Sequence, residues 1–221
     1  MQAFGAAAAE AGPLNDVTRR PHLAILHTHA IPAELFTEFS RIVSSESLGL
    51  ALEAREEDGP FAALEWLVPT AVIIYVSKSY FDSFLKEMGK DHYGLLKAGL
   101  KTLHGKLVGP NVPKAVVVST QGKVSDERVY SLRYSILAEA NEQRRFKLLI
   151  QSDVSSDQYD QILESFLAFL DAYHNGNVDP EMVKRLKDTR VVSSTILLAF
   201  DFETMSLEPV DPVSAGRRYE A

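Results

Sequence analysis

The chain contains no cysteine among its 221 residues. Disulfide bonds, thiolate metal sites and cysteine nucleophiles are therefore excluded, and this agrees with a reducing compartment. The longest apolar run, residues 61–77, is interrupted by Glu65 and Pro69 and is too short to cross a membrane. The first residues lack the basic segment of a secretory signal peptide. We therefore predict a cytoplasmic protein with no membrane-spanning segment.

Positive charge is scarce, with 23 Lys and Arg against 30 Asp and Glu, and the net charge is −7 at pH 7. This balance makes general nucleic-acid binding an unexpected function, because phosphate neutralisation needs a basic surface. A local basic face is still compatible with this negative net charge. The hydrophobic content of 46% is typical of a folded globular chain, and the length suits one domain.

The distribution of residue types predicts one α/β domain between two loose ends. Residues 1–20 are rich in alanine and glycine and predict a flexible arm, and residues 205–221 predict a flexible tail. Within residues 21–204, strand and helix patterns alternate. The first half predicts parallel strands joined by right-handed crossovers. Two of these strands are short apolar runs at 71–76 and 115–119, and a short helix is predicted at 61–67.

The second half predicts a different organisation. Residues 130–138 and 146–151 predict an antiparallel hairpin with a long polar loop, and residues 195–203 predict the last strand. Residues 155–173 predict a helix that begins with a capping box of Ser155 and Gln158. The expected fold is therefore α/β, with a mixed, mostly parallel sheet flanked by helices and an antiparallel hairpin extension in the second half.

Two histidines end the first predicted strand, residues 22–29. Strand alternation places His27 and His29 on one face, about 7 Å apart, and two imidazoles can chelate zinc or manganese. The segment 26–29, Leu-His-Thr-His, resembles the first metal motif of PHP-type phosphoesterases and amidohydrolases. The resemblance implies a divalent metal held by both histidines. The alternative is that they are solvent-facing or hydrogen-bonded residues of a strand end.

Two carboxylates end the last predicted strand. Asp201 and Glu203 are two residues apart and are expected to share a face. The segment around them, Phe-Asp-Phe-Glu-Thr, resembles the first motif of DnaQ-like 3′–5′ exonucleases, in which such a pair binds catalytic metals. The alternative is a charged strand end that discourages edge pairing. If the first and last strands were adjacent, His27, His29, Asp201 and Glu203 would form a combined metal site.

A serine-rich segment follows the strand at 71–76. Its Ser-Lys-Ser-Tyr sequence at 77–80, together with the order of elements over residues 22–120, resembles a TIR domain. The resemblance implies an NAD-binding pocket at Ser77 and Tyr80, with Glu87 as the catalytic carboxylate. The alternative is the ordinary N-terminal cap of a helix.

None of the three motifs is accompanied in the sequence by a complete catalytic set. The leading hypothesis is a non-catalytic binding or interaction protein, accessory or regulatory, that contacts proteins or associates with itself. The alternative is an enzyme with a site at the strand ends, either a metal-dependent hydrolase or a TIR-like NAD-hydrolysing domain.

Overall fold

The computed structural model describes residues 21–55, 70–88, 91–108, 130–131 and 133–211, with the side chains of residues 83, 87 and 88 left aside. The predicted arm at 1–20, the helix at 61–67 and the strand at 115–119 lie outside this description. Among the described residues, none of the helices combines the length and the hydropathy that a membrane crossing needs.

Seven strands form one sheet in the order β2-β1-β3-β4-β5-β6-β7. Their bounds are β1 Leu23–Thr28, β2 Leu50–Arg55, β3 Val72–Val76, β4 Tyr134–Asn141, β5 Arg144–Leu149, β6 Thr195–Asp201 and β7 Ser206–Val210. The pairs β1/β2, β3/β4 and β5/β6 are parallel, and the other neighbours are antiparallel. The expected mixed α/β fold is confirmed.

The described helices pack against one face of this sheet. They are α1 Thr37–Val43, α2 Leu85–Met88, α3 Asp91–Val108, α4 Ser156–His174 and α5 Pro180–Asp188; a 3-10 turn, Ala33–Phe36, precedes α1 and a π-helical turn, Tyr80–Phe84, precedes α2. The helices and the sheet share one apolar core that includes Ile25, Ile74 and Ile136. We call the face that carries these isoleucines the helix-covered face, and the face that carries Ser135 and Lys147 the second face.

The predicted capping box of α4 is confirmed. The Ser155 hydroxyl accepts a hydrogen bond from the Gln158 backbone N–H, and the Gln158 side chain accepts one from the Ser155 N–H. This reciprocal pair satisfies two donors that a helix start leaves open. After α4, Gly176 adopts a φ of +72°, which favours glycine. The Asp179 side chain caps α5.

Three predictions about strands are wrong. The first-half strands are not all parallel. Strand β3 runs antiparallel to β1, with Val72 opposite His27 and Val76 opposite Leu23. The predicted long hairpin loop is a two-residue turn at Glu142 and Gln143, since the polar residues before and after it are exposed strand positions.

The predicted tail is the third error, because residues 206–210 form strand β7. Leu207 is buried there opposite Phe200, which provides the apolar contact that anchors the strand. Pro209 is compatible with this strand because β7 lies at a sheet edge. The tail predicted from residue 212 onwards lies outside the described residues.

Candidate functional site

The four predicted metal ligands do not come together. Strands β1 and β6 are separated by β3, β4 and β5, which is four strand spacings or about 19 Å. His27 lies on the helix-covered face and Asp201 on the second face. Among the described residues, no group of three or more His, Asp or Glu side chains is arranged to hold a metal ion. The described residues therefore do not form the combined metal site, because its predicted ligands lie in separate parts of the sheet.

Each histidine of the first motif has its own surroundings. His27 is 5% exposed, and its ring lies 4.9 Å from that of Phe36. Its Nδ1 is 2.9 Å from the Thr28 carbonyl oxygen. His29 lies beyond the end of β1 in an exposed turn. Strand alternation stops at Thr28, so the expected shared face of the two histidines does not extend to His29.

The carboxylates of the second motif form a turn. The Asp201 side chain accepts a hydrogen bond of 2.8 Å from the Glu203 backbone N–H. This hydrogen bond lowers the pKa of Asp201 below its usual value. Strand β6 ends at Asp201, and Glu203 is exposed in the turn to β7. This hydrogen bond gives Asp201 a structural role that is independent of any metal, because an Asp in this position stabilises a turn.

Ser77 and Tyr80 lie where the third motif places them, after β3. Ser77 is 1% exposed, and its hydroxyl is 2.7 Å from that of Ser79. Tyr80 is fully buried, and its hydroxyl is 3.1 Å from His92 Nδ1, while His92 Nε2 is 2.8 Å from the Val43 carbonyl oxygen. Nε2 must carry the ring proton to donate to a carbonyl, so the Tyr80 hydroxyl donates to Nδ1.

This Tyr–His–carbonyl chain joins the π-helical turn to the end of α1. The Tyr80 hydroxyl therefore has its hydrogen-bond partner inside the core. Burial also raises the pKa of Tyr80 above its ordinary value. The backbone of Glu87 lies in α2, and its side chain lies outside the described residues.

Several lysines on and near α3 form ion pairs with carboxylates of neighbouring elements. Lys97 pairs with Glu164 at 3.1 Å, Lys101 pairs with Asp160, and Lys106 pairs with Glu38 at 2.5 Å. These pairs join α3 to α4 and to α1. Lys78 pairs with Asp82 four residues later. Exposed pairs of this kind are worth at most about 1 kcal/mol each.

A different set of cations lies on the second face, and the sequence interpretation missed it. Arg55 ends β2, Arg133 immediately precedes β4, and Lys147 lies within β5. The strand register places all three on the second face. Lys147 is only 6% exposed, and both arginines are partly buried. We call these three residues, with Thr70 and Ser135, the cationic cluster.

Two buried hydroxyls belong to the cluster. Arg55 Nη2 donates to the Thr70 carbonyl oxygen at 2.5 Å, and the Thr70 hydroxyl is 2.5 Å from that of Ser135. Thr70 and Ser135 are 3% and 1% exposed. Only one of the two hydroxyls donates in their mutual hydrogen bond. The proton of the other hydroxyl is directed elsewhere and can serve another acceptor.

One cation of the cluster influences another. Burial, with a smaller contribution from the positive charge of Arg55, lowers the pKa of Lys147 from 10.5 to about 8. Arg133 Nε is buried and has no hydrogen-bond partner within the described part of the chain. Two guanidinium groups, an ammonium group and a hydroxyl proton therefore lie on the same sheet face. These are the groups with which proteins bind phosphate and carboxylate.

A signal for this site is present in the sequence. Lys147 stands inside the apolar segment Phe-Lys-Leu-Leu-Ile, and a charged residue within a buried strand marks a position with a specific role.

Comparison of the chain with protein-family models, curated proteins and solved structures finds no match in any of the three. The geometry of the site therefore carries the functional argument.

Proposed function

We propose that this chain is a cytoplasmic, non-catalytic binding protein that takes an anionic ligand, through its phosphate or carboxylate group, at the cationic cluster. One observation carries the proposal: the register and burial bring Arg55 and Lys147 to one face of the sheet, near enough for one charge to lower the pKa of the other. Like charges in a low-dielectric region repel, and a bound anion offsets that repulsion.

The groups of the cluster divide the work of binding. A guanidinium group offers a planar pair of donors that matches two oxygens of a phosphate or carboxylate. Arg133 Nε is a buried donor that suits this role. Lys147 contributes a point charge, and the Thr70–Ser135 hydroxyl pair contributes a neutral donor.

The test is a thermal-unfolding series with phosphate, pyrophosphate, citrate and NAD, each compared with sodium chloride at equal ionic strength. A ligand at about 100 times its Kd adds roughly 2.7 kcal/mol to the free energy of unfolding. For a protein of this size, that raises Tm by about 5–10 °C. The series also separates the ligand classes, because phosphate esters and carboxylates are represented independently.

Variants locate the binding. Arg133→Gln is expected to raise the Kd of the responding anion at least about tenfold, because a hydrogen bond to a charged group is worth roughly 1.5–3 kcal/mol. Arg144→Gln is the matched control, since Arg144 is an exposed arginine at the start of β5. An equal response in both variants would contradict the proposed site. So would a wild-type protein that no anion stabilises beyond the chloride control.

The pH dependence of binding gives a second readout. Because the pKa of Lys147 is about 8, this residue loses its charge as pH rises from 7 to 9. Anion affinity is therefore expected to fall over that range, and Lys147→Met is expected to remove the change. If zinc or manganese stabilised the protein instead, reversibly with EDTA and only with His27 present, the metal-enzyme alternative would replace this proposal.

A further inference from the structure

The connection between helices α4 and α5 contains an asparagine that is followed by a glycine. Asn175 is the C-cap of α4, and residues 175–177, Asn-Gly-Asn, are all exposed. The backbone nitrogen of the residue after an asparagine is a nucleophile that can attack the carbonyl carbon of the asparagine side chain. Glycine favours this approach, because it has no Cβ to obstruct it and its backbone adopts many conformations. Asn175 therefore has the neighbour that an intramolecular reaction needs.

Hydrogen bonds hold both reacting groups in the folded protein. Asn175 Nδ2 donates to the Asp171 carbonyl oxygen at 2.9 Å and to Asp171 Oδ1 at 3.0 Å. The Gly176 N–H donates to the Tyr173 carbonyl oxygen at 3.2 Å. The ψ of Asn175 is 1°, which turns the Gly176 nitrogen away from the Asn175 side chain. The attack therefore requires the last turn of α4 to open, and helix ends open at low cost in free energy.

We propose that Asn175 is a site of spontaneous deamidation, and that the reaction proceeds when the end of α4 opens. The Gly176 nitrogen forms a bond to Asn175 Cγ, and the bond between Cγ and Nδ2 breaks. The proton of the Gly176 nitrogen leaves with the amide group as ammonia, and a cyclic imide results. Water then adds to either carbonyl of this ring and opens it, which gives aspartate or isoaspartate at position 175. Water is the only co-reactant, and no group is oxidised or reduced.

The product does not fit the cap that Asn175 forms. A carboxylate oxygen replaces Nδ2, so the two hydrogen bonds to Asp171 are lost and two carboxylates face each other instead. The new negative charge also lies at the C-terminal end of a helix, where it is unfavourable. Tyr173, in the last turn of α4, packs edge-on against Phe146 with ring centroids 4.9 Å apart. Deamidation is therefore expected to loosen the contact between the end of α4 and strand β5.

Two other asparagines provide comparisons within the same molecule. Asn177 is also exposed, but it precedes Val178, whose branched side chain crowds the attacking nitrogen. Asn141 is exposed at the β4–β5 turn and precedes Glu142, and its Oδ1 accepts a hydrogen bond from the Gln143 N–H at 2.9 Å. Exposure alone would predict reaction at all of these positions. The proposed mechanism predicts it beside the glycine.

Peptide mapping of the full chain during incubation in warm, mildly alkaline buffer tests the proposal. Tandem mass spectrometry is expected to show an acid in place of the amide at Asn175, in two forms that separate by chromatography. The rate at Asn175 is expected to exceed the rates at Asn177 and Asn141 by at least about tenfold. An unchanged Asn175 would overturn the proposal, and so would equal rates at Asn175 and Asn177.

Two variants test the requirement for opening. Asp171→Ala removes one acceptor of the Asn175 amide and is expected to raise the rate of deamidation several-fold, because it weakens the closed cap. Asp157→Ala is the matched control, since Asp157 is exposed in the first turn of the same helix, and it should react at the wild-type rate. Equal rates in these two variants would refute the role of the cap.

A second pair of variants tests the consequence for the fold. Asn175→Asp is expected to lower the urea midpoint of the protein, because it places a carboxylate where an amide donates to Asp171. Asn177→Asp adds the same charge two residues later and should leave the midpoint close to that of the wild type. Equal midpoints of the two variants would contradict the predicted loosening of α4.

Discussion

Acidification is expected to destabilise this protein through one buried histidine, His104. Its ring stacks on Tyr159 with centroids 3.7 Å apart, and it is 6% exposed. Its Nε2 atom is buried and has no hydrogen-bond partner among the described residues. Burial lowers the pKa of His104 from 6.5 to about 4, and the neighbouring carboxylate of Asp160 only partly opposes this. The folded protein therefore keeps this ring neutral in mild acid.

The sign follows from proton linkage. Between pH 6.5 and 4, the unfolded chain binds a proton at His104 that the folded chain does not, so the free energy of unfolding falls as pH falls. With these two pKa values, the loss on going from pH 7.5 to pH 5 is about 2 kcal/mol. This corresponds to a decrease in Tm of about 4–8 °C for a protein of this size.

The assay is urea unfolding of the wild type and of His104→Phe at both pH values. Phenylalanine keeps a ring against Tyr159 but cannot be protonated, so the variant should lose about 2 kcal/mol less than the wild type on acidification. Carboxylates and the other histidines titrate in both proteins and cancel in the comparison. His29→Gln, at an exposed position, should behave as the wild type. Equal losses in wild type and His104→Phe would refute the reasoning.

Two further stability measurements test the helices. Gly99→Ala places a Cβ 3.0 Å from Phe39 Cδ2 and 3.1 Å from Val43 Cγ1, so we expect destabilisation of roughly 1–3 kcal/mol as α1 moves away from α3. Gly105→Ala in the same helix places a Cβ with no atom within 4 Å and should stabilise the protein by about 0.5–1 kcal/mol. Urea midpoints of the Gly99→Ala and Gly105→Ala variants that change in the same direction would contradict this. Ser155→Ala removes the cap of α4 and should cost about 1 kcal/mol, whereas Ser156→Ala in the first turn should cost less; equal costs would show that the cap adds nothing.

The sequence alone determined the features that depend on neighbouring residues. The capping box of α4 needs only Ser155 and Gln158, three residues apart, and the start of α5 needs only Asp179 before a proline. The apolar run at 71–76 becomes a buried strand for a similar reason, since β-branched residues favour extended backbone and burial. These outcomes were predictable because every atom involved lies within one or two turns of chain.

Tertiary structure alone decided the strand order, and with it the candidate site. His27 and Asp201 end strands that run in the same direction, but three other strands lie between them, and no local pattern encodes that separation. Strand β7 forms because Leu207 meets Phe200 across a turn, a contact invisible in a segment that contains Pro209.

The cationic cluster shows the same limit. Arg55 is far in sequence from Arg133 and Lys147, which belong to the β4–β5 hairpin, and only the register of the sheet brings all three to one face. Periodicity identifies which residues of a strand share a side. Which strand lies next to which depends on the free energy of the whole packed sheet, and that information is distributed over the entire chain.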